Sequence, residues 1–403
     1  MNRDPLRITV LCTDLGVRVP GDKGAALHLR AVTSALGAIG HHVQLVGVAG
    51  HGPVDEVLAA RVEDMVLLPH PGRAEGLERE RRKLGFVDAL DGRVGARVEA
   101  FAPDLIYERL SLFGIAGVTL AERTGALHAI EVNALLAREE ARWRGLHLAD
   151  EAERRERFAM AHADMAFPVS DETAIDIARH APCARMEVVP NGVELDTFAA
   201  LPDRQQSRRT FGLRGPTVVF TGALRPWHGV DIAIRAVAAA SQPITLVVAG
   251  DGPIRSDLET LAIELGVAHR VHFLGHLPHA QVAELLAGAD AAVAPYPSLD
   301  GFAFSPLKLY EYLAAGVPVV ASAIGQIPDA LRDGRFGLLV PAGEPHALAE
   351  AIVMATSGAP AIAQMAAAAR QYALAHHGWD RRAEQITAAM RPLVEGISHA
   401  LAE

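Results

Sequence analysis

The stretch FAFSPLKLYEYLAAGVPVVASAIGQIP, Phe302 to Pro328, decides how the rest of the chain is read. Ser305 offers a capping hydroxyl, and Pro306, with its fixed φ and missing N–H, suits a first helical position, so a helix is expected to start there. Gly316 can take the left-handed conformation after the last turn and Pro318 cannot continue the helix, which closes it by Ala315. Unpaired N–H groups at the positive end of the dipole, with Lys308 beside them, make a physical recipe for holding phosphate. Glu311 stands one turn further on and shares the face of Lys308. One reading gives the ammonium a diphosphate and the carboxylate the two hydroxyls of a ribose. The other is an ion pair on a solvated helix face. Spacing alone leaves both open.

Around this stretch the chain alternates strand and helix. In the half of the chain that holds it, a series of apolar runs begins at Thr217 to Thr221 and continues through Ile244 to Ala249, Val271 to Leu274, Ala291 to Ala294, Val317 to Ala321 and Gly337 to Val340. The loop after the first reads TGALRPWHG, with Arg225 and His228 near a helix start, and a guanidinium at a strand end can bind phosphate bidentately. The loop after the second reads AGDGP, where Gly250 and Gly252 permit close approach of backbone. Upstream, VVPNGVELDTF (Val188 to Phe198) looks like a crossing between domains: Pro190 holds Val189 extended and Asn191-Gly192 signals a turn.

The upstream half follows the same plan. Strands are expected at Arg7 to Cys12, Val43 to Val48, Asp104 to Tyr107, Ala129 to Val132 and Met165 to Val169, with a helix from Gly24 to Ile39. In a doubly wound sheet the C-terminal strand ends face a ligand crevice. Glu108, Arg109 and Asn133 lie just past such ends and Glu131 within one, though packing or surface roles remain open for each. Gly21 and Gly24 border a helix start where backbone could meet an anion. Two motifs fail. Gly16 to Lys23 almost spells a P-loop, but the lysine is displaced and no Ser or Thr follows; Gly50 and Gly52 begin a dinucleotide fingerprint that Asp55 breaks. Glu75 to Phe101 reads as one long charged helix carrying Arg79, Arg81, Arg82 and Lys83. Interleaved Glu75, Glu78 and Glu80 favour a solvated face over weak peripheral contact with an anionic membrane.

Length and composition bound the classes. A chain of 403 residues, half hydrophobic and 21% charged, suits two folded domains. A net charge of −10 argues against nucleic acid as a partner. Cys12 and Cys183 are the only cysteines, so neither a disulfide framework nor a cysteine-rich metal site is expected, and a reducing cytoplasm is the expected setting. The apolar run of MNRDPLRITVLC is too short for a signal peptide, and no later stretch reaches spanning length unbroken.

In this order and spacing, the segments KGAALHLRAVTSALGAIGHHV, VVPNGVELDTF, TGALRPWHGVD, VVAGDGP, VHFLGHL, FSPLKLYEYLAAGVPVV and GLLVPAGEP resemble the family-4 retaining glycosyltransferases of GT-B fold. The resemblance covers nearly the whole chain. It implies an α/β architecture of two Rossmann-like domains facing across a cleft: residues 1–190 on the acceptor side, 191–378 binding a nucleotide sugar, and a C-terminal helix from 379 to 403 packing back on the first domain. It further implies transfer of a sugar from a nucleoside-diphosphate sugar, UDP- or GDP-linked, to a glycosyl acceptor, with retention and with neither metal nor other cofactor. No Asp-x-Asp occurs in the chain, which fits diphosphate handling by Arg, Lys and helix dipoles.

Residue by residue, the resemblance assigns Glu311 to the second glutamate of the Glu-x7-Glu motif, the ribose contact, and leaves Ala303 at the first. The family's Gly-Arg and Lys-Gly pair reads Gly222-Ala223 and His228-Gly229, so Arg225 and Lys308 are the available cations, and with Glu311 they form the expected catalytic set. Donor contacts are expected from Lys23, Gly24, Asn133, Gly222, His228, Gly250, Gly252, Leu274, Gly275, Ser305, Pro306 and Leu307, and acceptor contacts from Glu108, Arg109 and Glu131. Asn133 stands where a histidine often faces the donor sugar; an amide can bond there but cannot act as a base. A nucleotide-sugar epimerase, a sugar phosphorylase or a non-catalytic nucleotide-sugar-binding protein can share the plan. A nicotinamide dehydrogenase is disfavoured by the missing third glycines.

Overall fold

Apolar strands separated by amphipathic helices wind each half of the chain into its own parallel sheet. The computed structural model describes residues 4–299, 305 and 307–400, the last four in backbone only. By internal packing it divides into two units. One runs to Asn191 and takes in Ser305 and the stretch from Trp379; the other runs from Gly192 to Gly378 apart from that insert.

The first unit holds β1 (Arg7–Cys12), β2 (Arg18–Val19), β3 (His42–Ala49), β4 (Asp64–Leu68), β5 (Leu105–Arg109), β6 (Leu127–Val132) and β7 (Met165–Pro168). Their order is β2-β3-β1-β5-β6-β7, with β4 also on β3 and every pairing parallel. Helices cover both faces, so strands such as RITVLC are buried almost throughout instead of alternating. The order reverses between β1 and β5, where such sheets open a crevice. The helix Trp379–Ala400 lies along the helix Gly24–Ala38 and buries Ala383, Ile386 and Met390.

The second unit holds β8 (Thr217–Thr221), β9 (Thr245–Ala249), β10 (Val271–Gly275), β11 (Ala291–Ala294), β12 (Val319–Ser322) and β13 (Leu338–Val340), ordered β10-β9-β8-β11-β12-β13 and again all parallel. Its reversal falls between β8 and β11. The core combines Phe220, Val230, Ile234 and Leu246 with Leu348 and Ile352 of the helix Pro345–Ala355.

Three expectations change. The charged stretch is two helices, Gly76–Asp88 and Leu90–Phe101, joined at Ala89, because Phe86, Leu90 and Val94 all turn into one core cluster. Its face is not wholly solvated: Glu80 is fully buried and accepts backbone N–H bonds from His147 (3.0 Å) and Leu148 (2.7 Å). The short strands β2 and β4 were not foreseen. Among the described residues no single helix is long and apolar enough to cross a membrane. The helix start expected at Pro306, and the Ala303 position, lie outside the described residues; the helix is seen as Leu307–Ala315.

Candidate functional site

In the second unit the helix Leu307–Ala315 is pinned across the switch point by its buried face. Tyr312 lends its hydroxyl to the backbone N–H (2.9 Å) and Oγ1 (3.1 Å) of Thr221 at the end of β8, and Tyr310 donates to Gln326 at 3.0 Å. This places Lys308 at the C-terminal edge of the sheet. Its ammonium lies 4.0 Å from the centroid of the Phe220 ring and 5.6 Å from that of Tyr296. The Nζ atom is buried and has no hydrogen-bond partner among the described residues. Burial pushes its pKa down to about 7, against the raising effect of the Glu311 charge. A side chain at Gly222 (φ +128°) would put Cβ 3.0 Å from that ammonium, so the glycine keeps the space above β8 open.

Glu311 does not pair with Lys308. Its Oε1 accepts from His279 Nε2 at 2.9 Å, and His279 Nδ1 reaches Glu194 at 3.1 Å. Arg225 is half-buried, its guanidinium 5.8 Å from the Trp227 ring centroid. His228 turns Nδ1 to the carbonyl of Ala223, which can only accept. Burial first, then the neighbouring Lys308 charge, push its pKa down to about 3, so at neutral pH it is a neutral imidazole with the proton on Nδ1 and a lone pair on Nε2. It therefore adds no positive charge beside Lys308.

The glycines of these loops permit close approach of backbone, as their type suggests. A Cβ on Gly250 would fall 1.9 Å from the Gly222 carbonyl oxygen, and one on Gly252 2.2 Å from that of Leu224. Their close approach is to the neighbouring strand-end loop, tied by Gly222 N–H to Ala249 (2.9 Å) and Gly250 N–H to Gly275 (2.7 Å). Leu274 is exposed beside them, and Leu307 opens the helix half-buried.

In the first unit Glu131, at the end of β6, is the centre of a buried network. Its Oε2 accepts from Tyr107 (2.7 Å) and His28 (2.7 Å), and its Oε1 from Arg109 (2.7 Å) and Asn133 (2.5 Å). Burial alone would raise its pKa; the bonds and charges of His28, Arg109 and Tyr107 outweigh it and hold the carboxyl far below its usual range. Burial lowers the pKa of His28, which sits edge-on to Trp379 at 4.6 Å. Glu131 is thus an organiser of neighbouring side chains, not a free ligand contact.

Glu108 is also turned from its expected place. Strand alternation puts Tyr107 and Arg109 on one face of β5 and Glu108 on the other, where it bonds buried His128 at 3.0 Å beneath the helix Ala116–Thr124. A Cβ on Gly117 would fall 2.2 Å from the Glu108 carboxylate, so only glycine fits there.

Arg109 and Asn133 line a pocket of about 260 Å³ together with Asp14, Lys83, Glu140 and Arg144. Glu140 pairs with Arg79 at 2.9 Å and with Arg144. Ser305, expected at the donor helix, lines this pocket instead, held by a 2.7 Å bond from the Asn191 side chain to its carbonyl. Lys23 and Gly24 are exposed at the start of the helix Gly24–Ala38, with no side-chain cap. Sequence reasoning missed Asp14, Arg144 and His279, and read Lys83 only as helix charge. No local motif marks them, since each gains meaning from a partner on a distant element.

The comparisons with known proteins fall on both units. Residues 23–197 match the model described as Glycosyltransferase Family 4, and residues 215–357 match Glycosyl transferases group 1. The D-inositol 3-phosphate glycosyltransferase of Mycobacterium avium (strain 104) is 35% identical over 221 residues, covering 53% of this chain and 50% of that protein. The one from Mycobacterium bovis (strain BCG / Pasteur 1173P2) is 36% identical over 232 residues, 55% of this chain and 47% of the relative. The chain thus spans about half the length of the curated relatives it matches. Among solved structures, sucrose-phosphate synthase from Thermosynechococcus elongatus superposes with TM-score 0.78 at 21% identity, covering 98% of this chain and all of the other. Anabaena HepE, solved in complex with UDP and glucose, gives 0.74 at 18% identity, covering 96% of this chain and 99% of that one.

Proposed function

We propose, from the premise that the chain belongs to the family-4, group 1 glycosyltransferases, that it moves a sugar from a UDP- or GDP-linked donor to a polar acceptor with retention of anomeric configuration. The observation that carries this reading is the buried, unpartnered ammonium of Lys308 at the switch point of the second sheet. A buried ammonium without a partner is costly, and an anionic ligand offsets that cost.

In this reading Lys308, Arg225 and the N-terminal turn of the helix Leu307–Ala315 take up the negative charge that grows on the diphosphate as the anomeric bond breaks. The C1–O bond to the diphosphate breaks, an acceptor oxygen bonds to C1 on the same face, and the acceptor proton passes to the departing phosphate oxygen. No protein carboxylate is needed as base. His228, neutral, offers Nε2 as an acceptor of a donor hydroxyl, where the family's lysine would offer charge. The carboxylate of Glu311 takes the ribose diol. The pocket with Lys83, Arg109, Asn133 and Arg144 takes the acceptor, its mixed charge suited to a polyhydroxylated molecule. The charge assignment needs no metal, in keeping with the absence of an Asp-x-Asp pair.

The test is incubation with UDP- and GDP-sugars labelled at C1, following nucleoside diphosphate release and product configuration by NMR. Release coupled to a product of unchanged anomeric configuration is expected. Epimerised nucleotide sugar, sugar phosphate formed with added phosphate, or tight binding without release would each overturn the reading.

A further inference from the structure

His279 opens the helix His279–Gly288 with its ring between two carboxylates of the same unit, Nδ1 3.1 Å from Glu194 Oε2 and Nε2 2.9 Å from Glu311 Oε1. A carboxylate oxygen only accepts, so both ring nitrogens must carry hydrogen and the ring is an imidazolium. The side chains are only 15% (His279), 23% (Glu194) and 17% (Glu311) exposed, which shields the bonds from competing water. Phe198, fully buried, meets the imidazole edge-on at 5.8 Å and fixes its plane. Two carboxylates sharing one cation leave a surplus negative charge, a poor arrangement if stability were its purpose. It does suit a carboxylate that must stay ionised and in one orientation for a ligand.

We propose that His279 is a positioning residue for ribose recognition: its imidazolium, steadied by Glu194, fixes Oε1 of Glu311 so that the carboxylate is preset to accept the diol of a ribonucleotide. The proposal rests on the ribose assignment of Glu311 above. A preset carboxylate loses less side-chain freedom on binding and gains directional specificity for two adjacent hydroxyls.

The charged groups around His279 define when this arrangement holds. Glu194 faces it from the segment entering the helix Leu195–Ala199, and Glu311 faces it from the helix Leu307–Ala315. Lys308 shares the latter helix, and Asp196 stands on the former. On the helix Arg204–Thr210, Arg204 and Arg208 bond Asp290, past the opposite end of His279's helix, and Arg209 is exposed. Strand β8 brings no titratable side chain. Burial would pull the imidazole pKa down, but the bonds and charges of Glu194 and Glu311 outweigh it and raise it to about 9. The arrangement is therefore intact at neutral pH and lost as pH rises through about 9.

The test compares, by calorimetry on the full chain, the tightest binder among UDP, GDP and ADP with its 2′-deoxy counterpart. The ratio of the two affinities cancels whatever the diphosphate site contributes. The wild type should prefer the ribonucleotide about ten-fold or more at pH 7. His279→Gln should reduce that preference to about two-fold, and the wild-type preference should fade between pH 7 and pH 10 while that of the variant stays flat. If His279→Gln keeps the wild-type ratio while Glu311→Gln loses it, the proposal fails and the ribose assignment stands. A wild-type ratio near one at pH 7 sinks both. Should His279→Gln not fold, Glu194→Gln serves instead: the pH at which the preference fades should move down from about 9, and an unmoved value overturns the proposal.

Discussion

Glu131 and Lys308 occupy corresponding places, each at the C-terminal edge of a parallel sheet, and their surroundings are opposite. Four donors, two from β5, one from the segment after β6 and one from the helix Gly24–Ala38, converge on Glu131, which fills the lone-pair sites of one carboxylate. The Nζ atom of Lys308, on a partly buried residue, is also out of contact with solvent but meets two aromatic faces, and its three N–H donors find no acceptor among the described residues. A saturated buried charge holds its neighbours in place; an unsaturated one raises the free energy of the protein alone and lowers it with an anion present. Glu311 stands between these extremes, with one oxygen committed to His279.

The contrast breaks most visibly at Glu131. Glu131→Ala strips His28, Tyr107, Arg109 and Asn133 of their shared acceptor and leaves the largely buried Arg109 guanidinium, 14% exposed, without its carboxylate, at a cost of about 3–5 kcal/mol in unfolding free energy. Urea denaturation checks this. A loss below about 1 kcal/mol, within the range of an exposed ion pair, would mean that the network does not act as a unit.

The second test runs the other way. Lys308→Met keeps the length and removes the charge, so sugar transfer should drop by about 10²–10³, the usual cost of one lost donor to developing charge. The melting temperature should hold or rise, because the variant no longer buries an unpaired ammonium. A clear fall in melting temperature would make Lys308 a structural residue and erase the distinction from Glu131.

How much of this was legible in the sequence follows from what each feature depends on. The strand Thr217–Thr221 and the punctuation of Gly316 and Pro318 are local, and the chain states them directly. The break at Ala89 is not, since a charged helical pattern continues through it and only the inward turn of Leu90 to the core ends the first helix. Within the site, the shared face of Lys308 and Glu311 follows from their spacing. That Glu311 bonds to His279 instead depends on how two helices pack, 32 residues apart in sequence. Glycine shows a property legible in sequence whose partner is not. Gly250 and Gly252 do permit close approach of backbone, but to Gly222 and Leu224 of the adjoining loop. Likewise Glu108 and Arg109, neighbours at one strand end, point to opposite faces of β5, and only Arg109 reaches the pocket.

The smallest predicted effect is also the one that most directly weighs the unsatisfied charge. With its pKa lowered to about 7 from an ordinary 10.5, Lys308 in the free protein is half neutral near physiological pH. The folded state binds fewer protons than the unfolded chain between these two values, so this group makes stability rise with pH across that window. Donor binding has the opposite sign. A diphosphate beside the amine favours its charged form, so binding takes up a proton, and affinity should fall about ten-fold between pH 6 and pH 8 as the charged fraction declines. A nucleotide sugar is the right probe, because its diphosphate is esterified at both ends and has no proton to lose in that range. His228, at about 3, and His279, at about 9, titrate outside the pH 6 to 8 range of this binding test. Calorimetry in two buffers of different ionisation enthalpy should show the proton uptake directly. Lys308→Arg, charged at every pH used, should flatten the profile while keeping measurable affinity. A wild-type affinity that is constant from pH 6 to pH 8, with no proton uptake, would show that the ammonium is already fully charged in the free protein, and the contrast with Glu131 would narrow to one of hydrogen bonding alone.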